Sequence, residues 1–196
     1  MIKSFRHKGL KSLFMTGHSS KVRQDLQKRA LRRLDAMDAA VELDELNIPG
    51  FDFHGLEGKP KRYSIHVNGP FCLTFEWEDG DIYRVDLENY HSEAVMSEVM
   101  ITGKPNRKPT HPGEVLREDV LPAMNESVSG FANRVGMSRQ TIHAILACKR
   151  AVSPEAALRI GAVVGNGARI WLAMQMEYDL WETEKALHDE LSAIAA

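Results

Sequence analysis

Cysteine is scarce in this sequence: Cys72 and Cys148 stand far apart and in no C-x-x-C pair. That spacing offers neither a zinc site nor a redox couple, and two separate thiols are expected to pack as small apolar side chains. Long apolar runs are missing as well, since no stretch approaches the ~20 residues that cross a bilayer. The start, Met1-Ile2-Lys3-Ser4-Phe5-Arg6, lacks the charged-then-apolar layout of a secretory leader. No glycine-rich cofactor loop and no cluster of metal-ligating residues appears, which argues against a free metabolic enzyme. From these absences the sequence predicts a cytoplasmic protein with no membrane partner, no metal and no cofactor.

What is present is a chain of 196 residues, 43% hydrophobic and 27% charged, long enough for one or two packed domains. Its net charge of −2 hides a pattern. Within the first 35 residues Lys3, Arg6, Lys8, Lys11, Lys21, Arg23, Lys28, Arg29, Arg32 and Arg33 face only Asp25 and Asp35. A basic block of this kind attracts phosphates, although charge alone favours a solvated helix face over a phosphate-binding one. The end of the chain is acidic, with Glu177, Asp179, Glu182, Glu184, Asp189 and Glu190.

Two periodicities divide the chain near residue 100. Ile2 to Arg6 alternates like a short strand. Ser19-Ser20 is placed to cap a helix along which Val22, Leu26, Ala30, Leu34, Met37 and Val41 recur at three- and four-residue steps. A short helical piece at Leu43-Leu46 stops before Pro49-Gly50. Strand chemistry then runs through Tyr63–Val67, the turn Asn68-Gly69-Pro70, Phe71–Trp77, a second turn at Glu78–Asp81, and Ile82–Leu87. Short turns in succession imply an antiparallel meander with helices on one face, an α+β domain over residues 1–92. Residues 93–110 read as a linker, starting with a short helix or tether at Ser92–Met100 and ending in Thr102-Gly103-Lys104-Pro105-Asn106-Arg107-Lys108-Pro109-Thr110. Residues 111–196 read as an all-α domain, with helices near Gly113–Leu121, Val128–Val135, Arg139–Ala147, Pro154–Val164 and a long one from Ala168 toward Ile194.

Within that second domain Phe131, Ala132 and Val135 share one helix face. Gly136 supplies the turn, Ser138 an N-cap, and Ile142, Ile145 and Leu146 the buried face of the next helix. This is the spacing of a helix-turn-helix. It leaves Arg139, Gln140, Thr141 and His143 at the exposed start of the second helix, where arginine and glutamine can read guanine and adenine edges. Ser138, Arg139, Lys149 and Arg150 are placed to hold phosphates. Operator DNA is the expected partner, read by a homodimer formed through this domain. The segments His111-Pro112-Gly113-Glu114-Val115-Leu116-Arg117, Val135–Thr141, Lys149–Arg159 and Trp171–Trp181 resemble, in order, the HigA-type antitoxins. One departure is Ala147-Cys148, where those antitoxins carry Asn-Gly, so the exit turn and base preference are expected to differ.

The first domain resembles the HigB-type toxins of the RelE-like superfamily. Ile2–Phe14 is similar to their first strand and turn, and Pro49–Gly58 and Val85–His91 match further segments. The resemblance implies a metal-independent endoribonuclease that cleaves mRNA on the ribosome. Cleavage by the RNA's own 2′-OH needs a base, an acid and cations for the phosphorane charge. His54 and His91 can exchange protons near neutrality, Tyr90 can orient a base or phosphate, and Lys59, Lys61 and Arg62 supply charge. Lys21, Arg23, Lys28, Arg29, Arg32 and Arg33 are then the expected contacts to ribosomal RNA. Two positions depart from the family: Cys72 stands where it commonly keeps an arginine, and Asn89 where it keeps an aspartate. The loss of a cation predicts a slow or silent toxin.

Toxin and antitoxin of these families are normally separate proteins, toxin first; here both resemblances lie in one chain in that order. About 18 residues between them, able to span roughly 60 Å when extended, allow inhibitory contact in cis or in trans. The expectation is a joined toxin–antitoxin module, its second half covering the ribonuclease surface and repressing an operator. The rival expectation is a DNA-binding regulator whose first half is an inert interaction domain.

Overall fold

A computed structural model of the protein describes residues 1–89 and 98–194. Of the expected tether, residues 92–97 fall outside the described residues, as do Tyr90 and His91.

The first half is built from β1 (Ser4–Phe5), α1 (Lys8–Thr16), α2 (Gln24–Ala39), a 3-10 turn at Leu43–Leu46, β2 (His54–Gly55), β3 (Arg62–Asn68), β4 (Phe71–Glu78) and β5 (Asp81–Asn89). The three long strands and their tight turns follow the alternation of the sequence. Helix α1 does not, because the stretch to Phe14 reads as strand and turn. Gly9 interrupts the helical signal, but Leu10, Leu13 and Phe14 form one buried face, and the His7 ring caps the first turn by accepting from the Leu10 N–H. Helix α2 begins at Gln24, not at the serine pair. Ser19 Oγ instead accepts from the Lys21 N–H, closing a local turn.

The sheet has the order β2-β3-β4-β5-β1-β6, with β6 at Val99–Met100. Strands β2 to β5 are antiparallel, whereas β1 lies parallel to β5, so the sheet is mixed and not a pure meander. Register separates its faces. Tyr63, Ile65, Leu73, Phe75 and Leu87 share the face that packs on the helices, while Arg62, Ser64, His66, Cys72, Thr74, Glu76, Asp86 and Glu88 share the other.

The second half is all helix. A continuous run comprises α3 (Pro112–Val115), a π-helical turn at Leu116–Val120 and α4 (Leu121–Ala123). Then come α5 (Val128–Arg134), α6 (Arg139–Leu146), α7 (Pro154–Val164), α8 (Arg169–Ala186) and α9 (His188–Ile194). The long final helix thus breaks at Leu187. No helix among the described residues is long and apolar enough to cross a membrane.

The two halves share one continuous apolar core, which runs from Phe5, Leu34 and Met37 to Val115, Ile145 and Trp171. At their boundary Asp119, from the π-helical turn, is fully buried against α2. It pairs with Arg32 Nε at 2.6 Å and Arg33 Nη1 at 2.8 Å, and Arg29 Nε approaches to 3.6 Å. Arg33 is itself fully buried: it donates to the His66 and Gly50 carbonyls at 2.7 and 2.9 Å and stacks over Phe51. Burial pulls its pKa down to about 10, against the opposing pull of Asp119. Gly50, at φ +85°, allows the approach, since a Cβ there would meet the Asp119 carbonyl oxygen at 2.7 Å. Asn166 Nδ2 also donates to the Glu45 carbonyl, and Arg169 reaches the Glu45 carboxylate at 3.5 Å.

The stretch that reads as a linker is fastened along the first half. Strand β6 pairs antiparallel with β1, and Ile101 N donates to the Lys3 carbonyl. Asn106 N then donates to the Met15 carbonyl. The Asp35 carboxylate accepts from Arg107 Nη1 and Nη2 at 3.0 and 2.5 Å, and from Thr110 N and Oγ1 at 2.9 and 2.6 Å. This strap delivers the chain to His111, whose Nδ1 accepts from the Gly113 N–H at the start of α3 while its ring meets Tyr178 edge-on.

Removing a partner from a buried pair leaves the other charge uncompensated. Asp35→Ala is therefore expected to lower unfolding free energy by about 3 kcal/mol in urea titration, with faster amide exchange at Ile101 and Thr110. Burial holds the His111 imidazole below its usual 6.5. As pH falls through about 6.5, the unfolded chain takes up the proton first. Stability is thus full above that pH and declines on acidification, and the slope should shrink in His111→Asn, which keeps a capping acceptor but does not titrate.

Candidate functional site

The polar face of the sheet holds part of the expected catalytic set. His54 is exposed on β2, and its Nδ1–H donates to the Asp52 carbonyl at 2.8 Å, which leaves Nε2 as the proton acceptor of the neutral ring. Beside it in the hairpin, Lys61 Nζ donates to the Leu56 carbonyl and lies 5.9 Å from the Tyr63 ring centroid, while Lys59 is exposed. Arg62 Nη1 pairs with Glu88 at 2.5 Å, and Thr74 Oγ1 donates to the same carboxylate oxygen at 2.9 Å. Farther along the face Glu76, 3% exposed, takes Arg84 at 2.6 Å and Arg6 at 3.3 Å. Arg84 continues to Glu98, which also accepts from Ser4 Oγ.

Arg6, Arg62 and Arg84 of this face are thus held by carboxylates, whereas Lys61 is held by a carbonyl. Cys72 lies between His66 and Glu88 in the register and is buried. Asn89 ends β5 opposite Phe71, three positions along the sheet from the row that carries His54. The register puts Arg62 two positions from the His54 row on the same face, and Asn89 three positions from that row at the other end of the sheet.

The expected RNA-contacting block divides. Lys21, Arg23 and Lys28 are exposed and Arg29 half-buried, but Arg32 and Arg33 are buried against Asp119. As an open basic face, those two positions are corrected: Arg33 lies in the core phase of α2, between Ala30 and Met37. The contacts of the second half fall on α2, on Gly50 and on Glu45. They lie on the helical side of the sheet, opposite the polar face, so among the described residues these contacts do not cover that face as expected.

In the second half the side chains expected at DNA stand free. Ser138 caps α6, accepting from the Thr141 N–H at 3.1 Å and donating to Thr141 Oγ1 at 2.9 Å. Arg139, Gln140, His143, Lys149 and Arg150 are exposed, and Thr141 is half-buried. Phe131, Ala132, Ile142 and Ile145 bury the facing sides of α5 and α6. The turn between them carries Gly136 at φ +64°, with Arg159 Nη1 donating to the carbonyls of Val135 and Gly136. The exit of α6 is a Schellman turn: Lys149 N donates to the Ala144 carbonyl and Cys148 N to the Ile145 carbonyl. Cys148 sits at φ +56° in the place that favours glycine. Burial pushes its thiol pKa up, against the pull of Arg117.

Sequence reading missed Asp119, Arg117 and Arg159. Asp119 carried a signal, since it falls in phase with the buried Val115, Leu116 and Val120, where a charge needs a partner.

Comparison with known proteins gives a consistent pattern. Residues 3–91 match the model of the HigB-like toxins, described as the RelE-like toxin of the type II toxin–antitoxin system HigB. Endoribonuclease HigB of Proteus vulgaris is 44% identical over 92 residues, which are 46% of this chain and 100% of that protein. Antitoxin HigA-1 of Vibrio cholerae is 29% identical over 87 residues, 44% of this chain and 82% of its own. The solved structure of Pseudomonas aeruginosa antitoxin HigA with the higBA promoter is 30% identical and covers 43% of this chain and 91% of that one, at a TM-score of 0.41.

A left-handed backbone costs a residue with a Cβ about 1–2 kcal/mol. Cys148→Gly is accordingly expected to raise the melting temperature of the full chain, by about 1 kcal/mol in stability; calorimetry showing no gain would mean that the exit turn carries no strain.

Proposed function

This chain belongs, through its first half, to the HigB-like toxins of type II toxin–antitoxin systems, and from that premise we propose that this half is a ribosome-dependent mRNA endoribonuclease held silent by the half behind it. With a HigA-like helix-turn-helix half attached, the chain is a toxin–antitoxin module.

The observation that carries the reading is the docking of the second half through Asp119 onto the arginines of α2, while Arg139, Gln140, His143, Lys149 and Arg150 remain exposed. A cation buried against a carboxylate cannot also serve an RNA phosphate. In this reading silence comes from occupying the α2 cations in cis, and the operator is read without undocking. His54 is the general base through Nε2, His91 the acid, and Tyr90 and Asn89 orient the scissile phosphate. Lys61 and Arg62 steady its charge, Arg62 in competition with Glu88. Lys21, Arg23, Lys28 and Arg29, with Arg32 once released from Asp119, contact ribosomal RNA, whereas Arg33 stays in the core.

In the helix-turn-helix, Arg139, Gln140 and His143 read base edges, Lys149 and Arg150 hold phosphates, and Ser138 and Thr141 fix the start of the helix. Two copies joined through the second half would read two half-sites and repress the module's own operator. Along α7 and α8, Leu158, Met176 and Leu180 are exposed apolar side chains suited to such a contact. The module is placed in the cytoplasm, where ribosomes and operator are.

A second reading is favoured by one observation, the pairing of Arg62 and Arg84 with carboxylates beside a buried Cys72: a regulator whose first half is catalytically inert. Expression of residues 1–110, which retains the strap, separates the two. The toxin reading expects growth arrest and ribosome-dependent mRNA cuts that the full chain does not produce. If the fragment, folded by circular dichroism, gives neither and Cys72→Arg within it gives both, the first half has lost its activity and the regulator reading stands.

A further inference from the structure

The exit of α6 uses a cysteine where the turn demands a left-handed backbone, and that same end carries a contact from another helix. The Schellman turn satisfies the carbonyls of Ala144 and Ile145 but leaves that of Leu146. Beside a long 4.0 Å contact from Cys148 Sγ, Arg117, from the π-helical turn, serves that carbonyl: its Nη1 donates to it. Its Nε donates to Glu118 at 2.8 Å, and the guanidinium lies beside the Cys148 thiol. A guanidinium at a helix C-terminus is favoured both by the exposed carbonyls and by the helix dipole.

The backbone that carries Arg117 is tightly held, although the side chain itself is exposed. The run that carries it is wedged between α6 and the first half. On the α6 side, Gly113 packs so closely that a Cβ there would overlap the Ile145 carbonyl. On the opposite side Glu114 faces Arg32 at 3.6 Å, and Asp119 is locked to Arg32 and Arg33. The π-helical turn, in which Leu121 N donates to the Leu116 carbonyl five residues back, sets Arg117 and Asp119 on opposite sides of the run.

We propose that Arg117 is the positioning residue of the DNA-reading helix: it caps the C-terminus of α6, compensates for the strained Cys148, and so fixes where Lys149 and Arg150 present their charges. The inference rests on the reading of α6 as the DNA-reading helix. Arg117 itself touches no DNA in it.

The test uses the full chain and a fluorescent duplex that the wild-type chain selects from a random-sequence library. Arg117→Ala is expected to weaken binding about fivefold while the slope of log affinity against log salt stays unchanged, because no phosphate contact is lost. Cys148→Gly in the Arg117→Ala background is expected to restore affinity, since glycine holds the exit turn without the cap. A salt slope reduced by about 0.9 would make Arg117 a direct phosphate contact and overturn the proposal. So would failure of Cys148→Gly to restore binding in a double variant that melts as the wild type does. Amide exchange provides the second readout. Arg117→Ala should speed exchange at Ala147, Cys148 and Lys149, and Cys148→Gly should slow it again; unchanged exchange overturns the proposal without any DNA. If the wild type selects no duplex while the exchange result is as expected, the DNA reading fails and the capping role of Arg117 stands.

Discussion

One buried carboxylate organises this molecule. Asp119 enters the helical layer of the first half and meets Arg32, Arg33 and, at longer range, Arg29. Such a cluster is not strongly favourable as a sum of desolvated charges, and apolar residues of similar volume could replace it without loss. Its consequence is geometric. Arg33 spends its donors on His66, Gly50 and Asp119, so a group that the second half supplies completes a network begun by the first half's own loop and strand.

That constraint shapes the functional account. Docking engages the helical side of the sheet, so the second half acts on the cations of α2 and not on the polar face that bears His54. It also leaves Arg139, Gln140, His143, Lys149 and Arg150 exposed. A HigB-like half and a helix-turn-helix half therefore coexist in one compact state, with the strap from Val99 to Thr110 as part of the first half's edge and not a free tether. Asp35 is to the strap what Asp119 is to the docking: a carboxylate on α2 that receives chain from beyond the first half.

Much of this was legible in the residues. The alternation from Tyr63 to Leu87 with its Asn-Gly turn gave the three long strands, and the spacing of Phe131, Gly136, Ser138 and Ile142 gave the helix-turn-helix. Local rules sufficed there because turn chemistry and burial agree. They failed where a tertiary partner decides. Gly9 hid α1, whose stability comes from packing Leu10, Leu13 and Phe14. The strap looked like a linker because its hydrogen bonds go to β1, Met15 and Asp35, which no local pattern reveals. The parallel pairing of β1 with β5 is likewise a long-range choice. Of the candidate site, Arg139, Gln140 and His143 are exposed as the sequence implied, and Thr141 is half-buried. Arg32 and Arg33 are not exposed, and Arg33 gave its position away by lying in phase with Ala30 and Met37.

The central claim is that the halves are one cooperative unit joined through Asp119. Fluorotryptophan resonances at Trp77 in the first half and Trp171 in the second report on each half separately during urea unfolding. The account predicts a single shared midpoint in the wild type, split into two in Asp119→Ala. Two distinct midpoints in the wild type would contradict it.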